Sequence, residues 1–348
     1  MNLRRAERAN MHEWIGFSFV VLAGIVTGSY FLGLKYVEPW KWENIWLVYA
    51  TLALLVMPLG LASATAPHLG SALGAAPSRD VSRVLLYGAG WGIGSVLSGL
   101  GVVRMGMALG VSVLIGVDAA VGSFVPMAVN TPDMILKRKG LMVIIAVVTL
   151  VLGVAVVGFA GKKRERSQAL SEKPIQQGGL AAGLIICVLS GVFSAMMNFA
   201  FAFGGPISQA AMSFGASESG ALNVVWLITL VGGFIPTGIY TGYLLTRRRT
   251  WKNFLLPRTG LFWLIGFGMA LLWYSGVLFY GWGAKGMGRT GAVIGWPLFM
   301  AILILASSVC GFATGEWKGA STQAKRWMGA GLGILMVASV ILGFANQL

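Results

Sequence analysis

Residues 87–106, YGAGWGIGSVLSGLGVVRMG, carry a single charge, Arg104, in twenty positions. A run of about 20 apolar and small residues is long enough to cross the hydrocarbon of a bilayer as a helix. It lacks the alternation of a membrane-spanning strand, so a helix, with its backbone hydrogen bonds closed internally, is the structure that can cross. The same pattern returns later in the chain. A shift of 182 residues places Trp91 on Trp273, Gly99 on Gly281, Gly101 on Gly283, Met105 on Met287 and Gly106 on Gly288. A shift of 167 sets LAGIVTG (22–28) against LSGVFSA (189–195). The two shifts differ by 15 residues, which predicts extra chain in the second half between the sixth and eighth helices, in GGPISQAAMSFGASESG (204–220).

The whole chain has the character of that stretch. Of its 348 residues, 57% are hydrophobic and 11% charged, with a mean hydropathy of +0.79, whereas soluble domains carry about a quarter charged residues. Ten spans are predicted, near 14–34, 44–65, 84–103, 105–129, 140–160, 179–203, 220–246, 261–283, 290–315 and 327–345. The separators are short and polar or basic, and none is long enough to form a domain. The run behind the basic opening MNLRRAERANMHEW is too long for a signal-peptide core and lacks a cleavage site, so it reads as a retained first span. The class is therefore all-α integral membrane, with a first five-helix unit at 1–161, a basic linker at 162–178 and a second unit at 179–348.

An odd number of helices per unit forces the second copy to enter the membrane with the opposite orientation. Two such copies make an inverted repeat, which supports two states of similar energy, one open to each side. The net charge of +15 comes from 26 Lys and Arg spread over the loops, which reads as topology-setting charge and not as a nucleic-acid face. With the amino terminus outside, the inward loops hold 16 of these cations and the outward side 10, so both termini are expected outside, although Arg4, Arg5 and Arg8 pull the other way. Cys187 and Cys310 lie inside apolar runs and suggest no disulfide framework.

The segments YGAGWGIGSVLSGLGVVRMGMALGVSVLIG (87–116), SGVFSAMMNFAFAF (190–203), LLWYSGVLFYGWGAKGMG (271–288) and GEWKGA (315–320) resemble the L-rhamnose and proton symporter family of the drug/metabolite transporter superfamily. The resemblance runs over most of the chain. It implies ten helices in two inverted five-helix halves and proton-driven uptake of a deoxyhexose across a bacterial inner membrane. It also implies an acidic residue early in the ninth helix, but TGAVIGWPLFM (290–300) holds none.

The carboxylate that is available is Asp118, in SVLIGVDAAVGSFV (112–125). It falls 13 residues into its span, roughly 20 Å along a helix rising 1.5 Å per residue, and so near the bilayer midplane. Facing lipid there, it would cost about 2.5 to 3.5 kcal/mol. Leu114 and Gly122 lie one turn away and Gly110 and Pro126 two turns away, a stripe suited to a bundle interior. Asp118 is thus the expected carrier of the coupling proton, set against a structural hydrogen bond to a neighbouring Ser or Thr, or pairing with a cation.

A sugar needs flat apolar faces for its C–H surface and hydrogen-bonding groups for its hydroxyls, near the midplane between the halves. Depth and the repeat favour Trp91 and Ser95 in the third span, Asn198 in the sixth, and Trp273 and Tyr274 in the eighth; Tyr30 and Trp296 are weaker choices. Each aromatic could equally serve helix packing. Trp40, Trp42, Trp46, Trp251 and Trp317 lie at span ends, where interface anchoring is the default. Glu218, ahead of the seventh span, reads as a helix-capping charge. GMGRTG (286–291) fits a dinucleotide glycine pattern but joins two apolar runs and follows no strand. The glycine pairs 88/92, 90/94, 106/110 and 329/333 fit close helix contact.

His12 and His68 are far apart, so no metal site, cofactor or nucleophile-base pair is expected. The expected partners are a sugar, protons and membrane lipids. An exporter on the same fold is the nearest alternative. A membrane enzyme would normally cluster several acids or histidines at one interface, and only 11 acids occur here, mostly in loops.

Overall fold

The computed structural model describes residues 2–168 and 180–348, with side chains at 13–34, 36–168 and 181–348. The side chains of Arg4, Arg5, Arg8, His12 and Lys35, and most of the basic linker, lie outside the described residues. Helices dominate, and no strand occurs among the described residues. Among the described residues, ten segments are long and apolar enough to cross a membrane. Spans 1 to 5 are Glu13–Leu34, Trp42–Thr65, Ser78–Met105, Met107–Asn130 and Arg138–Ser167; spans 6 to 10 are Ala181–Ser213, Glu218–Arg247, Gly260–Gly286, Gly288–Ala313 and Thr322–Gln347.

The observed ends follow local chemistry. Gly106 (φ +83°) sits between spans 3 and 4 in a backbone conformation that favours glycine, and Gly110 lies close against Val102 of span 3, 3.2 Å from a would-be Cβ to its Cα, so the 106/110 pair combines a turn with the expected close helix contact. Span 7 starts with Ser217 as N-cap, its Oγ accepting from the Gly220 N–H at 3.1 Å, and with Glu218 in the first turn. Span 5 continues to Ser167, so Lys162–Arg166 form the end of a helix and not a linker; cations there complement the helix dipole. The extra chain expected at 204–220 includes the short helix Gly205–Ser213, which continues span 6.

The chain divides into two compact units, neither of which is continuous in sequence. One takes Met1–Gly28, Leu97–Ala195 and Phe279–Leu348; the other takes Ser29–Val96 and Met196–Leu278. Spans 1, 3, 6 and 8 are therefore shared. Two of the dividing points are local breaks in helical geometry: span 1 turns to a 3-10 helix at Tyr30–Tyr36, and span 6 is interrupted at Ala195.

In the first unit spans 4 and 5, 5 and 10, and 4 and 9 pack side by side. Ser123 Oγ donates to the Val293 carbonyl at 2.7 Å, fixing span 4 to span 9. In the second unit span 7 packs along span 2, and the glycines of span 3 meet span 7 backbone to backbone: Gly88 abuts the Thr229 carbonyl and Gly92 the Gly233 carbonyl. That contact was legible in the 88/92 spacing. Gly329 and Gly333, by contrast, have nothing within 4 Å of a would-be Cβ, and the contact expected from their spacing is absent among the described residues.

Several tryptophans expected as interface anchors are buried instead. Trp40, 2% exposed, donates its indole N–H to the Asn253 carbonyl at 2.9 Å. Trp46 and Trp317 are also buried, and the Arg164 guanidinium lies 5.1 Å from the Trp317 ring. Trp40 is covered by the connecting segment Trp251–Leu255, with Phe254 at 5.1 Å, Trp46 packs among Phe31, Trp42 and Tyr49, and Trp317 stacks on Phe312. Trp42 and Trp251 stay exposed.

Candidate functional site

The residues singled out from sequence fall into one group in each unit. In the first unit, Asp118 is 5% exposed on span 4. Trp296 of span 9, also buried, donates its indole N–H to Asp118 Oδ1 at 3.0 Å. Gly122, one turn on from Asp118, is what makes this contact possible, because any side chain there would run into the indole. Tyr280 stands edge-on to the Trp296 ring at 5.2 Å and 77°, and Phe299 lies 5.6 Å from it. Asp118 forms no ion pair among the described residues. Neither Ser, Thr nor a cation is the partner; a neutral indole is. Trp296, a sugar candidate by sequence, has its N–H committed to the carboxyl group.

The second unit holds the aromatic candidates. Trp91 and Trp273, paired by the 182-residue shift, stack at 5.4 Å with planes 28° apart. Gly233 of span 7 seats the Trp91 ring, whose Cε3 would lie 2.6 Å from a Cβ at that position. Tyr49 stands edge-on to Trp273 at 6.0 Å, and Tyr30 stacks on Tyr49 at 5.5 Å, giving a row of four rings. The two phenols share a hydrogen bond. Tyr274 follows Trp273 on span 8, is 4% exposed, and its hydroxyl has no hydrogen-bond partner among the described residues. Tyr87 meets Phe199 at 5.8 Å and Gly90 abuts Met196, which sets span 3 beside the stretch that carries Asn198. Asn198 is wholly buried and Ser95 half-buried.

Sequence reasoning missed Tyr49, Tyr280 and Gly233, and placed Gly122 on the interior stripe beside Asp118 without foreseeing the indole it admits. The two glycines reveal their roles only through what approaches them. Tyr49 could have been suspected, as one of 8 tyrosines and inside an apolar run.

Ten apolar spans, a carboxyl group buried at mid-span and a row of four aromatic rings, next to a Tyr274 hydroxyl with no partner among the described residues, define a multi-pass membrane protein with polar chemistry inside its bundle. The family model described as L-rhamnose-proton symport protein (RhaT) matches residues 11–347. The chain belongs to that family. It is similar to an L-rhamnose-proton symporter of Mannheimia succiniciproducens, 27% identical over 347 residues that cover 95% of this chain and 98% of that protein. An L-rhamnose-proton symporter of Pectobacterium atrosepticum is 25% identical over 342 residues, covering 94% and 97%. One of Yersinia pestis (strain Pestoides F) is 26% identical over 339 residues, with the same coverage.

Proposed function

We propose that the protein imports L-rhamnose or a similar deoxyhexose together with protons, across a bacterial inner membrane, by alternating access. The family and the named relatives support symport, and an exporter on the same fold has no observation in its favour. Transport, and not enzymatic catalysis, is the activity this family carries.

The halves 1–161 and 179–348 act as inverted repeats. Supporting this, the boundaries of the compact units obey the two sequence shifts: 167 carries Gly28 onto Ala195, and 182 carries Val96 onto Leu278. The distribution of cations supports both termini lying outside.

Asp118 carries the coupling proton, and Trp296 positions it. One observation carries this role: a carboxyl group 5% exposed at mid-span, with a single indole N–H as hydrogen-bond partner and no cation among the described residues. Charge on such a group is costly, so releasing the proton requires a conformation that brings in water or a new partner. Sugar binds against Trp91 and Trp273, with Tyr274, Ser95 and Asn198 serving its hydroxyls and Tyr30 at the edge of the row. The unpartnered Tyr274 hydroxyl supports this, because leaving it unmet costs about 1–3 kcal/mol.

Purified protein in liposomes, given L-rhamnose and an imposed pH gradient, tests the reading. The expected result is accumulation that collapses with a protonophore, and Asp118→Asn that still exchanges labelled for unlabelled sugar but no longer accumulates it. Unimpaired proton-driven accumulation by Asp118→Asn would remove the coupling role, and indifference of the wild type to the gradient would remove symport.

A further inference from the structure

At the end of the first unit where span 4 finishes and span 5 begins, a cavity of about 420 Å³ is lined by Thr131, Asp133, Lys137, Arg138, Lys139 and Arg289, with Leu348 closing it. Four basic side chains face one acidic side chain. Asp133 is shared by Lys137 at 3.3 Å and Arg289 at 3.2 Å. Arg138, exposed, pairs with no carboxylate among the described residues. Lys139 donates to the Asn346 carbonyl at 3.5 Å, with Glu13 close enough to act on its charge. Lys137 stands at the N-cap of the 30-residue helix of span 5 and supplies no side-chain cap, so the first N–H groups there add to the positive field.

A second concavity lies in the same unit. A groove of about 280 Å³ runs between spans 1, 9 and 10, lined by Trp14, Phe17, Val21, Ile302, Val340 and Phe344. It reaches Gln347, the neighbour of the Leu348 that lines the basic cavity. A basic cavity at a span end beside an apolar groove in the spans fits a molecule with an anionic head and an acyl tail.

We propose that this pair of concavities is a binding site for an anionic phospholipid, its phosphate held by Arg138, Lys137, Lys139 and Arg289 and one acyl chain lying in the groove. The shared chemistry is a phosphate ester anion. The adjoining groove selects the lipid over free phosphate, and a zwitterionic headgroup, whose ammonium offsets its phosphate, gains less from these cations than an anionic one. Basic pockets between spans hold anionic headgroups in this way, with attraction near the surface equivalent to roughly 5-fold in affinity per cation.

The test uses the full chain, delipidated in detergent. Thermal stabilisation and lipid retention in native mass spectrometry are measured with phosphatidylglycerol, phosphatidylcholine and inorganic phosphate. Phosphatidylglycerol is expected to be retained and to stabilise, phosphatidylcholine not. The double variant Lys137→Gln/Arg138→Gln, at exposed positions, is expected to bind phosphatidylglycerol about 25-fold more weakly. Gly343→Leu places its Cβ in ordinary contact with Phe17, 3.5 Å away, and its remaining carbons in the groove; it is expected to weaken lipid binding while leaving any phosphate effect untouched. Equal retention of both lipids overturns headgroup recognition. Stabilisation by inorganic phosphate equal to that by phosphatidylglycerol, with Gly343→Leu indifferent, overturns the lipid assignment. A two-chain mass that Gly343→Leu abolishes makes the groove an interface between copies and overturns the proposal as well.

Discussion

Asp118 and Trp296 show how much a single contact can decide. The sequence identified a lone acid at mid-span, and the cost of about 2.5 to 3.5 kcal/mol for facing lipid implied that it points inward, as it does. It could not name the donor, because 178 residues separate the two partners and no local pattern links span 4 to span 9. Trp296→Phe keeps the ring and removes the N–H. It is expected to lower proton-driven accumulation by 10-fold or more, from the roughly 1.5–3 kcal/mol of a hydrogen bond to a charged group, while the sugar concentration at half-saturation moves little; uptake kinetics at several pH values check this. Tyr274 gives the opposite split. Tyr274→Phe deletes a hydroxyl that has no partner among the described residues, so thermal stability without sugar should hold or rise. L-rhamnose affinity should fall about 5–10-fold, as expected for losing one hydrogen bond of around 1 kcal/mol. Calorimetry and melting curves on the same preparation read both.

At the scale of elements, glycine spacing proved informative where a partner helix exists and empty where none does. Gly88 and Gly92 touch span 7 backbone, whereas Gly329 and Gly333 touch nothing. Gly88→Ala is therefore expected to destabilise by about 1–3 kcal/mol, since the Thr229 carbonyl is backbone and cannot rotate away. Gly329→Ala should be neutral or stabilising by up to about 1 kcal/mol. Thermal melts of the two variants side by side decide it. In the turn after span 4, the Lys137 ammonium, first, and the Arg289 charge hold the exposed Asp133 carboxyl below the usual carboxylate range. A lowered folded value means the ionised form favours the fold. That stabilisation is complete above the ordinary range near 3.9 and is lost as pH falls through the lowered value. Asp133→Asn should melt slightly below the wild type at pH 7, with the gap closing in acid, a small effect because exposed pairs contribute little. The tryptophans at span ends were misjudged from sequence because their burial depends on which other segments pack against them. Trp40 is covered through its bond to Asn253, 213 positions away.

For the whole molecule, composition and local hydrophobicity already contained the ten spans found among the described residues. Span ends deviated mainly where helices ran on past their apolar cores: span 3 begins at Ser78 and span 5 ends at Ser167, because polar residues continue a helix once it has left the hydrocarbon. The sequence by itself determined the membrane class, the number of crossings and the candidate acid, since all three follow from local hydrophobicity, span length and the cost of a buried charge. Only the tertiary structure decided that Trp296 and not a hydroxyl meets Asp118, that Trp91 stacks on Trp273, and that the compact units draw on both halves of the chain. Those are contacts between segments far apart in sequence, and they are set by which helix faces fit together, a property that no single stretch of residues encodes.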